Sequence, residues 1–310
     1  VVEKSVNHLM FQAKVSYRCA GSSYNAVSFS VSQSHSKIKK KAGMDFIQII
    51  SFLVLGTFTG FAAGLLGIGG GMLMVPFITM LLSAQGFPRE IVVHVAIATS
   101  LSTIMFTSLS SVRAHHKRGA VVWPIVKLLA PGILIGSWIG PWIGAQLDSS
   151  ALALFFAVFV GFSATQMLLD KKPSPTRELP KAPGMLGAGS VIGVLSGLVG
   201  AGGGFVSVPF MTWCNVKIHN AVATSAALGF PIALAGTLSN IYFGMQEQGL
   251  PTGSLGFIYL PALLVISIAS VFTAPMGAKV AHALPVKSLK KVFAAVLYLL
   301  AGYMFYKAFR

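Results

Sequence analysis

The chain has 310 residues, of which 55% are hydrophobic and 10% charged, with a mean hydropathy of +0.77. A soluble globular domain carries roughly 25% charged residues, so the composition excludes that class and points to an all-α, polytopic integral membrane protein. The net charge of +16 gives little weight to a nucleic-acid partner, because the Lys and Arg residues stand between apolar segments, where they set orientation in the bilayer.

Residues 1–43 differ from all that follows: they are rich in Ser and Lys, end in Lys37, Lys39, Lys40 and Lys41, and hold seven of the 23 basic residues. They lack the apolar core of a secretory signal. The expectation is a disordered tail, or translation begun upstream of a natural start at Met44. Apolar segments then follow at about 46–66, 72–83, 91–112, 120–147 and 151–169, and a second set at about 185–200, 205–213, 219–243, 254–281 and 289–308. A polar stretch with four prolines, residues 170–184, separates the sets. The organisation expected is a first transmembrane repeat over 44–169, a cytoplasmic linker over 170–184 and a second repeat over 185–310.

One motif identifies the duplication. Gly60-Phe-Ala-Ala-Gly64-Leu-Leu-Gly67-Ile-Gly69-Gly70-Gly71, leading to Pro76, returns 133 positions later as Gly193-Val-Leu-Ser-Gly197-Leu-Val-Gly200-Ala-Gly202-Gly203-Gly204, leading to Pro209. The stretch from His94 to Ala98-Thr99-Ser100 returns 125 positions later as His219 to Ala223-Thr224-Ser225. A helix of about 12 residues rises only ~18 Å against a hydrocarbon core of ~30 Å, so the second segment of each repeat does not cross. Each glycine run then reads as a helix broken inside the bilayer, which is tolerated only where protein or a watered cavity satisfies the freed backbone. Paired breaks in corresponding halves point to a binding site.

Loop charge bears on whether the halves are parallel or inverted. Arg113, Lys117 and Arg118 mark one loop as cytoplasmic, Lys171, Lys172, Arg177 and Lys181 another, and Lys287, Lys290 and Lys291 a third, while the loops near Asp148 and Glu247 carry no Lys or Arg. If each broken pair makes no net crossing, the halves are inverted and all three basic loops fall inside. A single crossing by each pair gives parallel halves and puts the third loop outside. Inverted repeats are the expectation, with Arg310 outside.

Glycine permits positive φ and close backbone approach, and a helix starting after such a break offers unpaired N–H groups at its positive end. The substrate-binding candidates are Gly67, Gly69, Gly70 and Gly71 with Gly200, Gly202, Gly203 and Gly204. Thr99, Ser100, Thr224 and Ser225 add hydroxyls that donate without a buried charge, and Asn240 lies on a helix that can line the pathway. His94 and His219 are the candidates for proton coupling; both stand near helix starts and also suit an interfacial position. Gly60/Gly64, Gly193/Gly197 and Gly136/Gly140/Gly144 read as helix-packing positions. Cys19 and Cys214 have no Cys or His at ligand spacing, so neither a disulfide framework, a zinc site nor another cofactor is expected.

These motifs, over residues 44–310, resemble the TauE/SafE family of bacterial sulfite exporters. The resemblance implies a multi-pass transporter of the bacterial cytoplasmic membrane that moves small sulfur-containing anions such as sulfite, sulfoacetate or other organosulfonates. The function expected is secondary transport, most simply export by alternating access as one half rocks on the other. An anion channel is the alternative. A membrane-embedded enzyme is more distant, since Glu90, Asp148, Asp170, Glu178 and Glu247 all fall in loops. The sequence specifies neither the anion, the direction, the coupling ion nor whether the chain forms a homo-oligomer.

Overall fold

The computed structural model describes residues 45–66, 70–169, 178–247, 249–281 and 286–310. The N-terminal stretch, Gly67, Gly69 and the linker residues Asp170, Lys171, Lys172 and Arg177 lie outside them, as do the side chains of Lys287 and Lys290.

Long apolar runs without interior charge become helices because a helix satisfies its own backbone, which lipid requires. The first set forms α1 (Phe46–Leu66), α2 (Gly71–Ala84), α3 (Val92–His116), α4 (Trp123–Ala145) and α5 (Ser149–Leu169). The second forms α6 (Ala182–Val199), α7 (Gly204–Trp213), α8 (Ile218–Gly244), α9 (Leu260–Ala281) and α10 (Val286–Ala308). Eight of these are long and apolar enough to cross a membrane, whereas α2 has 14 residues and α7 has 10. Pro124 and Pro183 occupy first-turn positions of α4 and α6, where the missing N–H costs no helical bond. Arg113, His115 and His116 close α3, complementing its negative end.

One boundary departs from the sequence reading. Residues 254–259, expected to open a helix, instead form an antiparallel hairpin of β1 (Ser254–Leu255) and β2 (Ile258–Tyr259). Gly256 takes φ +55 and lies so close to α8 that a Cβ there would come within 2.8 Å of the Asn240 and Ile241 carbonyl oxygens. A short apolar run does not by itself distinguish strand from helix, and here the tertiary contact decides.

The closest packing joins α4 to α6, α1 to α9 and α5 to α10. Glycines make it possible: Gly56, Gly60 and Gly64 of α1 meet Ile266, Ser270 and Ala274 of α9, while Gly132, Gly136 and Gly140 of α4 meet Leu186, Ser190 and Val194 of α6. The rising order on both members shows that each pair runs parallel. The helix α3 also runs with α9, through Thr99–Tyr259, Thr107–Ser270 and Arg118–Ala278. Likewise α8 runs with α4, through Asn220–Ala120, Thr224–Val122 and Ser239–Trp138. Between α3 and α8 the order reverses, Ser108 meeting Gly229 and Leu101 meeting Gly236.

The chain between α1 and α3 therefore returns to the end where α1 began, and α6 to α8 behaves the same way at the other end. One end of the bundle gathers Arg113, Lys117, Arg118, Lys181, Lys217 and Lys279 with Glu178. The opposite end carries Asp45, Glu90, Asp148 and Glu247 with Arg89, Lys307 and Arg310, the Arg89 Nη1 donating to the Arg310 carbonyl at 2.7 Å. Large apolar side chains such as Phe162, Leu264, Phe272 and Leu299 point outward, as lipid contact requires.

Candidate functional site

Both short helices begin at a glycine in the left-handed region, Gly70 at φ +70 before α2 and Gly203 at φ +77 before α7, and neither has a side-chain cap. A side chain at either would be strained. Gly70 abuts the Thr59 carbonyl, seven residues before the end of α1, so the chain has turned back beside α1 before α2 starts. Gly71 lies against Ile104, at mid-length of α3, and Gly203 against Ile232, at mid-length of α8. The helix starts thus sit deep between the ends of the bundle.

The two breaks touch. A methyl group on Gly71 would overlap the Gly200 carbonyl oxygen and come within 2.7 Å of the Ala201 Cα. Ser100 donates its hydroxyl to the same Gly200 carbonyl at 2.8 Å, so α3 of the first set anchors the break of the second. Ser225 is equally buried and accepts the Ser207 hydroxyl at 2.8 Å, on α7. Of the residues singled out in the sequence, Gly70, Gly71, Gly200, Gly202, Gly203, Gly204, Ser100 and Ser225 belong to this neighbourhood.

Thr99 and Thr224 have a different use. Thr99 Oγ1 accepts the Tyr259 N–H at 3.0 Å, just before α9, and Thr224 Oγ1 accepts the Val122 N–H at 3.0 Å, just before α4. Asn240 stands 11 residues beyond Gly229 on α8, about 16 Å along the axis, with its amide donating back to the Gly236 carbonyl at 2.7 Å. His94 is buried near the start of α3, with Nε2 at 3.0 Å from both the Gly144 and Leu147 carbonyls, Nδ1 at 3.3 Å from Ser149 Oγ, and its ring stacked on Phe257. His219 is exposed. The fold does not bring Asn240 or either histidine to the breaks.

Two buried residues lie outside that candidate set. Ser196 is buried beside Gly203, and its hydroxyl has no hydrogen-bond partner; the signal was present, since Ser196 replaces Ala63 within the repeated motif. His115 occupies the position 125 residues before Asn240 and places Nε2 at 3.2 Å from the Gly64 carbonyl. Among the described residues no Lys, Arg, Asp or Glu side chain is buried. The described residues at the breaks present mainly hydroxyls and backbone dipoles.

Comparison with known proteins adds the decisive observation: the family model described as sulfite exporter TauE/SafE matches residues 52–304, all of the helical region but its edges. The chain belongs to the TauE/SafE sulfite exporter family. It is 40% identical over 264 residues to a probable membrane transporter protein of Haemophilus influenzae, covering 84% of this chain and 100% of that one. It is also similar to probable membrane transporter proteins of Methanocaldococcus jannaschii, 27% identical over 85% of this chain and 98% of the relative, and of Bacillus subtilis, YunE, 26% identical over 84% and 98%. No solved structure matches it significantly. With eight apolar helices of spanning length, this TauE/SafE member is a multi-pass membrane transporter.

Proposed function

We propose that the protein is a secondary transporter that exports a small sulfur-containing anion, sulfite or an organosulfonate, across a bacterial cytoplasmic membrane by alternating access. The observation that carries this reading is the contact of Gly71 with Gly200, which sets the uncapped start of α2 against the second break, four residues before the uncapped start of α7, where no described Lys, Arg, Asp or Glu side chain is buried. Helix starts of this kind favour anions, and discontinuous helices at corresponding places of two repeats are where secondary transporters hold their cargo. The family's description as sulfite exporters supports the class of anion. Gly70, Gly71, Gly202, Gly203 and Gly204, with Ser225, are the residues proposed to surround it, and Ser100 holds the second break in place through the Gly200 carbonyl.

The same reading takes the two sets of helices as inverted repeats with the basic end in the cytoplasm. Its support is directional: α1 and α3 run opposite to α6 and α8, their sequence counterparts, and α4 runs opposite to α9. The charge of the ends agrees with the positive-inside rule. An inside-negative potential favours exit of a monoanion by about 2.3 kcal/mol per 100 mV, so export needs no nucleotide.

The test is efflux from proteoliposomes of sulfite, thiosulfate, sulfate, sulfoacetate and a non-sulfur carboxylate, with and without a pH gradient. Saturable counterflow of sulfite or sulfoacetate is expected. Movement of the carboxylate alone defeats the sulfur-anion reading, and large unitary currents in place of counterflow make the protein a channel.

A further inference from the structure

Between the meeting point of the breaks and the basic end lies a cavity of about 10 Å³, room for one water-sized occupant. Its polar lining is Thr107, Ser108 and Ser111 of α3, Ser225 of α8 and Gly202 of the second break, with no Lys, Arg, His, Asp or Glu side chain. We propose that this cavity binds a bare Na+ ion. Its occupancy would be coupled to anion movement, a link that rests on the transporter reading above.

The first argument is where the hydroxyl protons go. Ser108 Oγ donates to the Met105 carbonyl at 3.2 Å. Thr107 Oγ1 donates to the Thr103 carbonyl at 3.0 Å while accepting from Ser270 Oγ at 2.7 Å, or donates to Ser270 Oγ, which then donates to the Ser267 carbonyl at 3.1 Å; in both arrangements its proton is spent on a protein oxygen. A hydroxyl has a single proton and two lone pairs. With those protons committed to protein oxygens, Thr107 and Ser108 offer the cavity acceptors, which suit a cation and not an anion.

The second is an open valence. Ser111 is 2% exposed, lines the cavity, and its Oγ has no hydrogen-bond partner. A buried hydroxyl left in that state is unfavourable until something occupies the space beside it. The third is asymmetry. At the corresponding positions of the second set, 125 residues on, Thr107, Ser108 and Ser111 are replaced by Ile232, Ala233 and Gly236, so the shared fold does not require the hydroxyls.

Size and chemistry select the ion. Hard cations take oxygen ligands, and in transporters built on broken helices neutral oxygens at the break coordinate Na+. The space is too small for a sulfur oxyanion. The positive end of α7 beside Gly202 favours an anion in the same place, and the experiment separates the two.

The unfolding midpoint of the purified full chain is measured without transported anion, at constant ionic strength, in NaCl, sodium gluconate, KCl and choline chloride. A saturable rise common to both sodium salts and absent from KCl and choline chloride is expected. Ser111→Ala should weaken half-saturation by Na+ at least about tenfold, since even outer-shell partners of a metal commonly account for 10- to 100-fold, and Thr107→Val should act likewise while Ser111→Thr retains binding. Equal midpoints in all four salts leave only a bound water and overturn the proposal. A rise that follows chloride overturns it in favour of an anion, and an undiminished Na+ effect in both Ser111→Ala and Thr107→Val moves the ion elsewhere. If Ser111→Ala does not fold, the wild-type salt series and Thr107→Val decide. Na+ stabilisation in a protein that moves none of the tested anions leaves this site standing and defeats the anion reading; sulfite efflux with no Na+ stabilisation does the reverse.

Discussion

Thr99 and Tyr259 are 160 positions apart, yet the Thr99 hydroxyl accepts the Tyr259 N–H that opens α9, at 3.0 Å. Thr224 and Val122 repeat the arrangement at 3.0 Å for α4. Each half thereby caps a helix of the other. Thr99→Val or Thr224→Val removes the acceptor and strands a largely buried N–H, at a cost of about 1–3 kcal/mol each. The expected outcome is a lower unfolding midpoint in detergent for both variants and recovery with Thr→Ser; an unchanged midpoint in both would show that the caps do not hold the halves.

Gly70→Leu and Gly203→Leu should abolish anion efflux while membrane insertion, followed by expression and gel-filtration profile, is retained. Both positions demand positive φ, which for a side chain costs about 1–2 kcal/mol. That strain alone is too little to prevent folding, and the added bulk against the Thr59 carbonyl and the Ile232 side chain misplaces the helix start. Efflux at wild-type rate from both variants would reduce these glycines to packing.

The glycine seams set a contrast within one residue type. Gly60→Leu and Gly136→Leu place a side chain into the Ser270 and Ser190 backbone and should destabilise by more than the about 1–3 kcal/mol of ordinary overpacking. Nothing lies within 4 Å of a Cβ built at Gly161 or Gly302, and Gly161→Ala should be neutral or add up to about 1 kcal/mol through helix propensity. Thermal unfolding of the three variants side by side checks the order.

His94 ties the start of α3 to the turn between α4 and α5 through the Gly144 and Leu147 carbonyls and Ser149. We read this as a brace. His94→Leu removes the ring contacts with the Leu147 carbonyl and Ser149 and should lower stability by about 1–3 kcal/mol, whereas His94→Gln should leave the response of efflux to a pH gradient unchanged. Loss of that response in His94→Gln would make the residue a proton carrier instead.

What the sequence disclosed was what local pattern controls. Helix α1 was read at about 46–66 and is Phe46–Leu66, and α2 and α7 fell within one residue of the reading, because apolar run length and a glycine that must take positive φ are local demands. The hairpin at 254–259 was missed, since the contact of Gly256 with α8 leaves no mark on periodicity. Thr99 and Thr224 were legible as buried hydroxyls, but their partners, more than 100 positions away, were not. His115 and Asn240 occupy matching positions only once the 125-residue offset is carried to the end of α3.

The seams of α1 with α9 and of α4 with α6 each join helices from opposite sides of the duplication, with backbone so close that sliding by one residue would drive a side chain into a carbonyl row. Such seams resist shear. In the alternating-access reading proposed above, a rocking of one half against the other would have to shear both at once, so the rigid blocks of that cycle would be mixed pairs, one member from each half. The line along which such a molecule would open and the line between its two sets of helices are then two different cuts through the same bundle.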